Sequence, residues 1–91
     1  MPISSKFKQK LKAQAHALKP VVLLGNQGLT EAVQAEIENA LIAHELIKVK
    51  IPGEDRELRK TIADEICKTR QAELVQMIGS ICVIYRKNSE E

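Results

Sequence analysis

The sequence predicts one α/β domain built on a four-stranded mixed sheet with packed helices. Three segments carry apolar residues at helical spacing, strand-like segments alternate with them, and a short glycine-containing turn joins the last two strands. A chain of 91 residues suffices for one small core and is too short for two domains. The predicted order is therefore α-β-α-β-α-β-β within a single domain spanning residues 1–91.

The first helix is predicted from Ser5 to Ala17, capped by Ser4 or Ser5 and followed by Pro20. Its apolar stripe consists of Phe7, Leu11, Ala15 and Leu18. The next segment, Val21 to Leu24, is a continuous apolar run. Such a run is typical of a parallel strand covered on both faces.

The second helix is predicted to begin after Thr30, a good N-cap residue that precedes Glu31. Its buried stripe consists of Leu29, Val33, Ile37, Ala40 and Leu41. The strand that follows, Leu46 to Ile51, alternates strictly. One of its faces is apolar, and Lys48 and Lys50 give the other face an open, basic character.

Asp55 caps the third predicted helix, whose stripe consists of Leu58, Ile62 and Ile66. Two strands follow, 73–78 and 81–86, and Gly79-Ser80 between them suits a type II′ turn. Right-handed crossovers would place the second and third helices on the same face of the sheet. Residues 87–91 are expected to be frayed.

Charge is unevenly distributed, although the net charge is only +2. Residues 1–20 contain lysines but no acid, and residues 29–46 contain glutamates but no lysine or arginine. The lysines are Lys6, Lys8, Lys10, Lys12 and Lys19; the glutamates are Glu31, Glu36, Glu38 and Glu45. This asymmetry indicates a basic side that faces a polyanion and an acidic side turned away from it.

The segment Gly25-Asn26-Gln27-Gly28 joins the first strand to the second helix. At such a junction backbone amides are unpaired and the helix dipole favours an anion, and glycines let phosphate oxygens approach the amides. The segment lacks the lysine and hydroxyl residue of a phosphate-binding P-loop and the third glycine of a dinucleotide fingerprint. Two interpretations stay open, namely a phosphate-binding loop and a tight turn that uses glycine only for its geometry.

Catalytic and membrane functions find little support in the sequence. His16 and His44 lie on separate predicted helices without a metal-ligand or nucleophile pattern around them. Cys67 and Cys82 form no CxxC motif and are interpreted as buried thiols in a reducing compartment. No apolar run approaches the roughly 20 residues of a membrane span, and the N-terminus does not resemble a signal peptide. We therefore expect a cytoplasmic protein without a cofactor or small-molecule substrate.

The stretch LKPVVLLGNQGLTEAVQAEIENALIAHELIKVKI closely resembles the bacterial YhbY family of stand-alone CRM (chloroplast RNA splicing and ribosome maturation) domains. The resemblance extends from LKAQAHALKP to GSICVIYR. It implies an RNA-binding module similar to the C-terminal domain of bacterial translation initiation factor three. Bacterial members associate with precursors of the large ribosomal subunit, and plant relatives assist group II intron splicing.

The resemblance places the family's loop on Gly25, Asn26, Gln27 and Gly28. Many CRM domains carry a lysine inside this loop, whereas Asn26 and Gln27 are neutral. Loop amides would therefore bind phosphate, while lysines from elsewhere supply the electrostatic attraction. The candidate cationic residues are Lys6, Lys8, Lys10, Lys12, Lys48, Lys50, Arg86 and Lys87.

The sequence thus predicts a non-catalytic RNA-binding protein whose partners are large-subunit precursor RNA and the pre-ribosomal particle. An alternative is a protein–protein adaptor that docks a basic partner on its acidic second helix. A third interpretation is an anion-binding enzyme subunit that uses the same loop.

Overall fold

The computed structural model of the protein describes residues 3–88. Its elements are α1 (Ser5–Ala15), β1 (Val22–Leu23), α2 (Glu31–His44), β2 (Leu46–Lys50), α3 (Arg56–Arg70), β3 (Glu73–Ile78) and β4 (Ile81–Tyr85). The strands form one sheet in the order β1-β2-β4-β3. Because β1 is parallel to β2 and the other pairs are antiparallel, the predicted mixed four-stranded α/β sheet is confirmed.

Helices cover both faces of the sheet. On one face, the α2/α3 face, the buried residues of α2 and α3 form a single cluster with those of the strands. The shared face predicted for these two helices is therefore correct. On the opposite face, the α1 face, Leu11 and Ala15 pack against Leu46, Val75 and Val83. The sequence did not predict that α1 would lie across the sheet from the other two helices.

The N-terminal helix is shorter than predicted. Its cap is confirmed, because the Ser4 hydroxyl accepts a hydrogen bond from the Phe7 amide at 3.1 Å. The helix ends at Ala15, since the Leu18 amide turns back to the Ala15 carbonyl at 2.9 Å. Leu18 therefore leaves the helical stripe and is exposed.

The first strand differs from the prediction of a strand covered on both faces. Its parallel pairing is confirmed, and Val22 and Leu24 are buried. However, Val21 and Leu23 are 51% and 61% exposed. The physical reason is position, because β1 lies at the edge of the sheet and α1 packs against β2 and β3.

The caps of the other two helices agree with the sequence. The Thr30 hydroxyl accepts from the Val33 amide at 3.2 Å, and Asp55 Oδ1 accepts from the amides of Glu57 and Leu58. The predicted α2 stripe is confirmed, as Ile37 and Leu41 are fully buried and its other members pack against them. The α3 stripe is wrong at Leu58, which is 56% exposed in the first turn of the helix.

The C-terminal hairpin turns at Gly79-Ser80. Gly79 has φ 56° while Ser80 has no positive φ, which fits the predicted type II′ turn. Within the stretch expected to be frayed, the Asn88 amide donates to Glu45 Oε2 at 2.9 Å and its side chain donates to the Ile42 carbonyl at 2.8 Å. The remaining residues of that expectation, 89–91, lie outside the described residues.

Candidate nucleic-acid interface

The glycine loop, residues 25–28, closes on itself between β1 and α2. The Gly28 amide donates to the Gly25 carbonyl at 3.0 Å, and the Thr30 amide donates to the Gly28 carbonyl at 3.1 Å. These two donors are therefore used inside the protein. Within residues 3–88, the structure pairs the backbone amides of Asn26 and Gln27 with no internal acceptor. These two amides are the donors that the loop can offer to an anion.

The two glycines of the loop differ in what requires them. Gly28 has φ 76°, a left-handed conformation that strains any side chain with a Cβ. Gly25 lacks such a φ, and a Cβ placed on it would meet no atom within 4 Å. Nothing inside the protein therefore requires glycine at position 25. The missing Cβ leaves the backbone there open to a molecule from outside.

A groove runs beside the loop at the end of the sheet. The loop forms one wall, and the Pro52-Gly53 turn and the first turns of α3 form the other. The exposed side chain of Leu58 lies here, beyond the strand ends, which explains its absence from the core. Arg59 connects α3 to the Pro52-Gly53 turn and to the hairpin turn, because its guanidinium donates to the carbonyls of Gly53 and Gly79.

Lys50 connects the glycine loop to the α1 face. It pairs with Leu23 in the sheet, and its carbonyl accepts from the Leu24 amide at 3.0 Å, immediately before the loop. Its side chain is exposed. Lys50 therefore projects from the α1 face at the strand position whose backbone is bonded to the residue before the loop.

The face that was predicted to be open and basic along β2 is partly covered. Leu46 begins this face and is buried under α1, with 7% of its surface exposed. Lys48 is half-buried, and its Nζ donates to the Leu18 carbonyl at 3.0 Å. The face is thus closed near Leu46 and open near Lys50.

The charge asymmetry of the sequence becomes a difference between the two sides of the sheet. The lysines of α1 and of the segment after it lie on the α1 face, together with Lys48 and Lys50. In the described part of the chain, Glu73 is the one acid at a strand position of this face. The glutamates of α2 lie on the other side. Lys6, Lys10 and Lys19 are exposed, and Lys8 and Lys12 are half-buried.

Arg86 and Lys87 lie away from the loop. They follow β4, whose last residue pairs with Leu46 at the start of β2, so they lie at the opposite end of the sheet. The Arg86 guanidinium donates to both carboxylate oxygens of Glu38, at 2.8 and 3.0 Å. These hydrogen bonds lower the pKa of Glu38 and raise that of Arg86. The structure therefore does not bring these two candidate residues to the site.

The remaining reactive side chains form no cluster near the loop. Both cysteines are free, and burial raises the pKa of Cys67 to about 11 and that of Cys82 to about 12. His16 and His44 are exposed. Among residues 3–88, no three His, Cys, Asp or Glu side chains are grouped as metal ligands would be. Over the same range, no helix combines the length and the apolar character needed to cross a bilayer.

The fold and this surface describe a small α/β domain that exposes a glycine loop and a lysine-rich face. A family model described as the CRS1/YhbY (CRM) domain matches residues 3–86. The chain therefore belongs to the CRS1/YhbY (CRM) domain family, as its sequence motifs predicted.

Relatives and a solved structure agree with this assignment. A Haemophilus influenzae protein named RNA-binding protein is 56% identical over 88 residues, which cover 97% of this chain and 89% of the relative. A Pseudomonas aeruginosa relative is 44% identical over 88 residues, covering 97% and 85% of the two chains. The solution structure of a Staphylococcus aureus protein superposes with a TM-score of 0.85 at 34% identity, covering 97% of this chain and 92% of that one. The names of the two relatives describe RNA binding and no catalytic activity.

The predicted likeness to the C-terminal domain of initiation factor three stays a prediction. Sequence reasoning missed the ion pair of Arg86 with Glu38, because no local spacing links residues 48 positions apart. It also missed the pairing of Lys50 with the strand residue two positions before the loop, which depends on strand register. The alternating pattern of the β2 segment was the sequence feature that could have indicated the face on which Lys50 lies.

Proposed function

We propose that this protein is a non-catalytic RNA-binding protein that acts in assembly of the large ribosomal subunit. The observation that carries the proposal is the position of Lys50, an exposed cation on the lysine-rich α1 face that pairs in the sheet with Leu23, two residues before the glycine loop. RNA is proposed as the ligand because the names of its relatives describe RNA binding.

In this proposal the glycine loop holds a phosphate group of the RNA. The amides of Asn26 and Gln27 are the donors, and α2, whose dipole has its positive end at this terminus, begins four residues after Gln27. Gly25 allows the close approach, because a side chain there would stand between the phosphate and the backbone. The neutral side chains of Asn26 and Gln27 leave the charge neutralisation to residues outside the loop.

Lysines of the α1 face provide that neutralisation. Lys50 pairs with the strand residue two positions before the loop, and Lys6, Lys8, Lys10 and Lys12 extend the positive surface along α1. Phosphate contacts of this kind release counterions, so binding weakens steeply as the salt concentration rises. Arg86 is left out of the interface because its guanidinium is bound to Glu38, and Lys87 because it lies at the far end of the sheet.

Aromatic stacking contributes little in this proposal. Phe7 and Tyr85 are the two aromatic residues of the chain, and they pack against each other edge to face with ring centroids 5.4 Å apart. Both belong to the cluster under α1. Specificity therefore comes from RNA shape and from contacts with 2′-hydroxyls more than from stacking on aromatic side chains.

The large-subunit precursor is proposed as the RNA because bacterial members of the family associate with it, which also implies a cytoplasmic location on pre-ribosomal particles. The test is to crosslink the protein to RNA in living cells and to sequence the attached fragments. We expect enrichment of large-subunit precursor RNA over mature ribosomal RNA. Enrichment of another RNA class would refute the ribosomal role, and the absence of any enriched RNA would refute RNA binding.

A protein–protein adaptor remains the second candidate because α2 exposes Glu31 and Glu36 on the side opposite to the lysines. A basic assembly factor could dock there while RNA occupies the α1 face. The distinguishing variant reverses Glu31 and Glu36 to lysine and leaves Glu38 intact, since Glu38 is held by Arg86. Loss of association with pre-ribosomal particles, with unchanged affinity for bare RNA, would support the adaptor.

A further inference from the structure

We propose that the uncovered end of the α1 face binds an unpaired segment of RNA by contacting its bases. This inference rests on the proposed RNA-binding function and adds the kind of RNA strand that the face accepts. The surface concerned is a row of four side chains, called here the aliphatic row, formed by Leu23, Lys50, Ile81 and Ile78.

The aliphatic row crosses all four strands in one line. Leu23 pairs with Lys50, Lys50 pairs with Ile81, and Ile81 pairs with Ile78. Residues that are directly paired in a sheet project from the same face, so the four side chains form one continuous strip. Ile81 packs against the cluster under α1, which identifies the face as the α1 face.

In the described part of the chain, no helix covers the two ends of this strip, although Ile81 in its middle packs against the cluster under α1. The buried residues of α1 pack on Leu46, Val75 and Val83, which lie toward the other end of the sheet or in its middle. At the two ends of the row, Leu23 is 61% exposed and Ile78 is 54% exposed. Exposed aliphatic side chains on a face that also carries charged residues commonly mark a binding surface. The row also adjoins the glycine loop through Leu23 and the hairpin turn through Ile78.

Charge favours RNA as the occupant of this surface. The row contains Lys50, Lys48 lies one position down the same face of β2, and the lysines of α1 continue the positive field. Glu73, the acid on this face, lies at the opposite end of the sheet from the row. Electrostatic attraction therefore favours a polyanion over a basic peptide at the row.

The row places a cation beside aliphatic side chains, and a nucleotide likewise carries a charged phosphate and a base with apolar faces. Lys50 lies on β2, roughly 5 Å from the neighbouring strands that carry Leu23 and Ile81. A phosphate held by Lys50 therefore places its base over aliphatic carbon on either side. Bases in a duplex are stacked on each other and cannot offer their faces to a protein. The strand bound here is consequently unpaired.

The test compares two isoleucines with the same exposure. Ile78 belongs to the row and Ile42 lies on α2, and both are 54% exposed. Serine is introduced at each site, and affinity is measured by fluorescence anisotropy for a labelled oligouridylate, an abasic oligoribonucleotide of the same length and an RNA duplex. We expect Ile78→Ser to weaken oligouridylate binding by about tenfold, which corresponds to the removal of one buried aliphatic contact.

Three further results are expected from the same measurements. Ile42→Ser leaves every affinity unchanged, and Ile78→Ser leaves the duplex and the abasic strand unchanged. The slope of log affinity against log salt stays the same in Ile78→Ser, because no charge is removed. Leu23→Ser, at the other end of the row, should give the same results as Ile78→Ser. It controls for a local distortion of the hairpin, because Leu23 lies on β1.

The outcomes separate this inference from the proposed function. Equal affinities for Ile78→Ser and Ile42→Ser, in a protein that binds RNA, would overturn the aliphatic row and leave RNA binding intact. Equal weakening of duplex and oligouridylate by Ile78→Ser would also overturn it. Failure of the unmodified protein to bind any of the three RNAs would overturn both proposals. Binding of polyglutamate that depends on Ile78, without binding of oligouridylate, would assign the row to an acidic protein partner instead.

Discussion

The guanidinium of Arg86 holds the carboxylate of Glu38 through two hydrogen bonds, Nη1 to Oε1 at 2.8 Å and Nη2 to Oε2 at 3.0 Å. Nη1 also donates to the carbonyl of Arg70 at 3.0 Å, at the C-terminal end of α3. Arg70 adds a second ion pair to Glu38 at 3.3 Å. One arginine after β4 thus connects both helices of the α2/α3 face.

Glu38→Gln is expected to lower the free energy of unfolding by about 1 kcal/mol at neutral pH, because charge-assisted bonds to a partly exposed carboxylate are lost. The Arg86 hydrogen bonds lower the pKa of Glu38 below the ordinary value of a glutamate side chain. Its stabilising contribution is therefore complete above the unfolded-state pKa and is lost as the pH falls through the lowered folded-state pKa. The difference between the two proteins should shrink over that acidic range.

Urea unfolding of both proteins at neutral and acidic pH measures this difference. Glu36→Gln is the matched control, because Glu36 is exposed on the same helix and makes no ion pair in the described structure. An equal effect of the two substitutions at neutral pH would contradict a stabilising role for the Arg86–Glu38 pair.

The sequence predicted the elements well because caps and apolar periodicity are local signals. Thr30 and Asp55 cap the helices that their positions indicated, and alternation identified the β2 segment. The incorrect predictions concern burial, which depends on how the helices and strands pack together. Leu58 has the spacing of a core residue but lies beyond the end of the sheet, and Val21 and Leu23 have core composition but lie on an edge strand.

The candidate site was predictable only in part for the same reason. The loop could be found from its glycines, since a strand–glycine–helix junction is a local pattern. The choice of its cationic neighbours was not local. Strand register pairs Lys50 with Leu23, two residues before the loop, whereas the antiparallel path of β4 carries Arg86 to the far end of the sheet.

The position of α3 can be tested with two alanine substitutions on this helix. Ile66 is fully buried, so Ile66→Ala should lower the free energy of unfolding by about 2–5 kcal/mol. Leu58 is 56% exposed, so Leu58→Ala should cost less than about 1 kcal/mol. Chemical denaturation measures both values. A cost at Leu58 equal to that at Ile66 would mean that the first turn of α3 packs into the core.

The cysteines should react slowly with thiol reagents in the native protein. Burial raises the pKa of Cys67 to about 11 and that of Cys82 to about 12, so thiolate is scarce at pH values near neutrality. We expect iodoacetamide to label neither residue until the pH approaches these pKa values or the protein is unfolded. Mass spectrometry after timed labelling, with a urea-unfolded sample as control, gives the rates. Rapid labelling of native Cys82 would contradict its burial.

Removal of lysines from α1 should change the salt dependence of RNA binding. Lys8→Ala together with Lys12→Ala removes two cations of the α1 face, so the log–log salt slope should fall by about one for each phosphate contact that is lost. The matched control replaces Lys60 and Lys68 on α3, which removes the same charge from the other side of the sheet. Anisotropy titrations at several salt concentrations measure the slopes. Equal slopes for the two double variants would show that the α1 face is not the RNA-binding surface.

Substitutions of the two loop glycines can distinguish an effect on RNA binding from an effect on folding. Gly28 has φ 76°, so Gly28→Ala should destabilise the protein by about 1–2 kcal/mol, while Gly28→Asn should cost less because asparagine tolerates this conformation. Gly25 has neither a positive φ nor a neighbour that a Cβ would meet within 4 Å. Gly25→Ala should therefore leave the melting temperature unchanged or slightly raised, since alanine restricts the unfolded chain.

If phosphate approaches the loop at Gly25, the same Gly25→Ala variant should bind RNA more weakly at full stability. Thermal melting and anisotropy on one preparation supply both quantities. Gly28→Asn serves as the reference for a loop that is altered without a new group at position 25. A Gly25→Ala protein that binds RNA with unchanged affinity would show that the loop amides do not contact phosphate. The lysines of the α1 face would then have to account for binding without the loop.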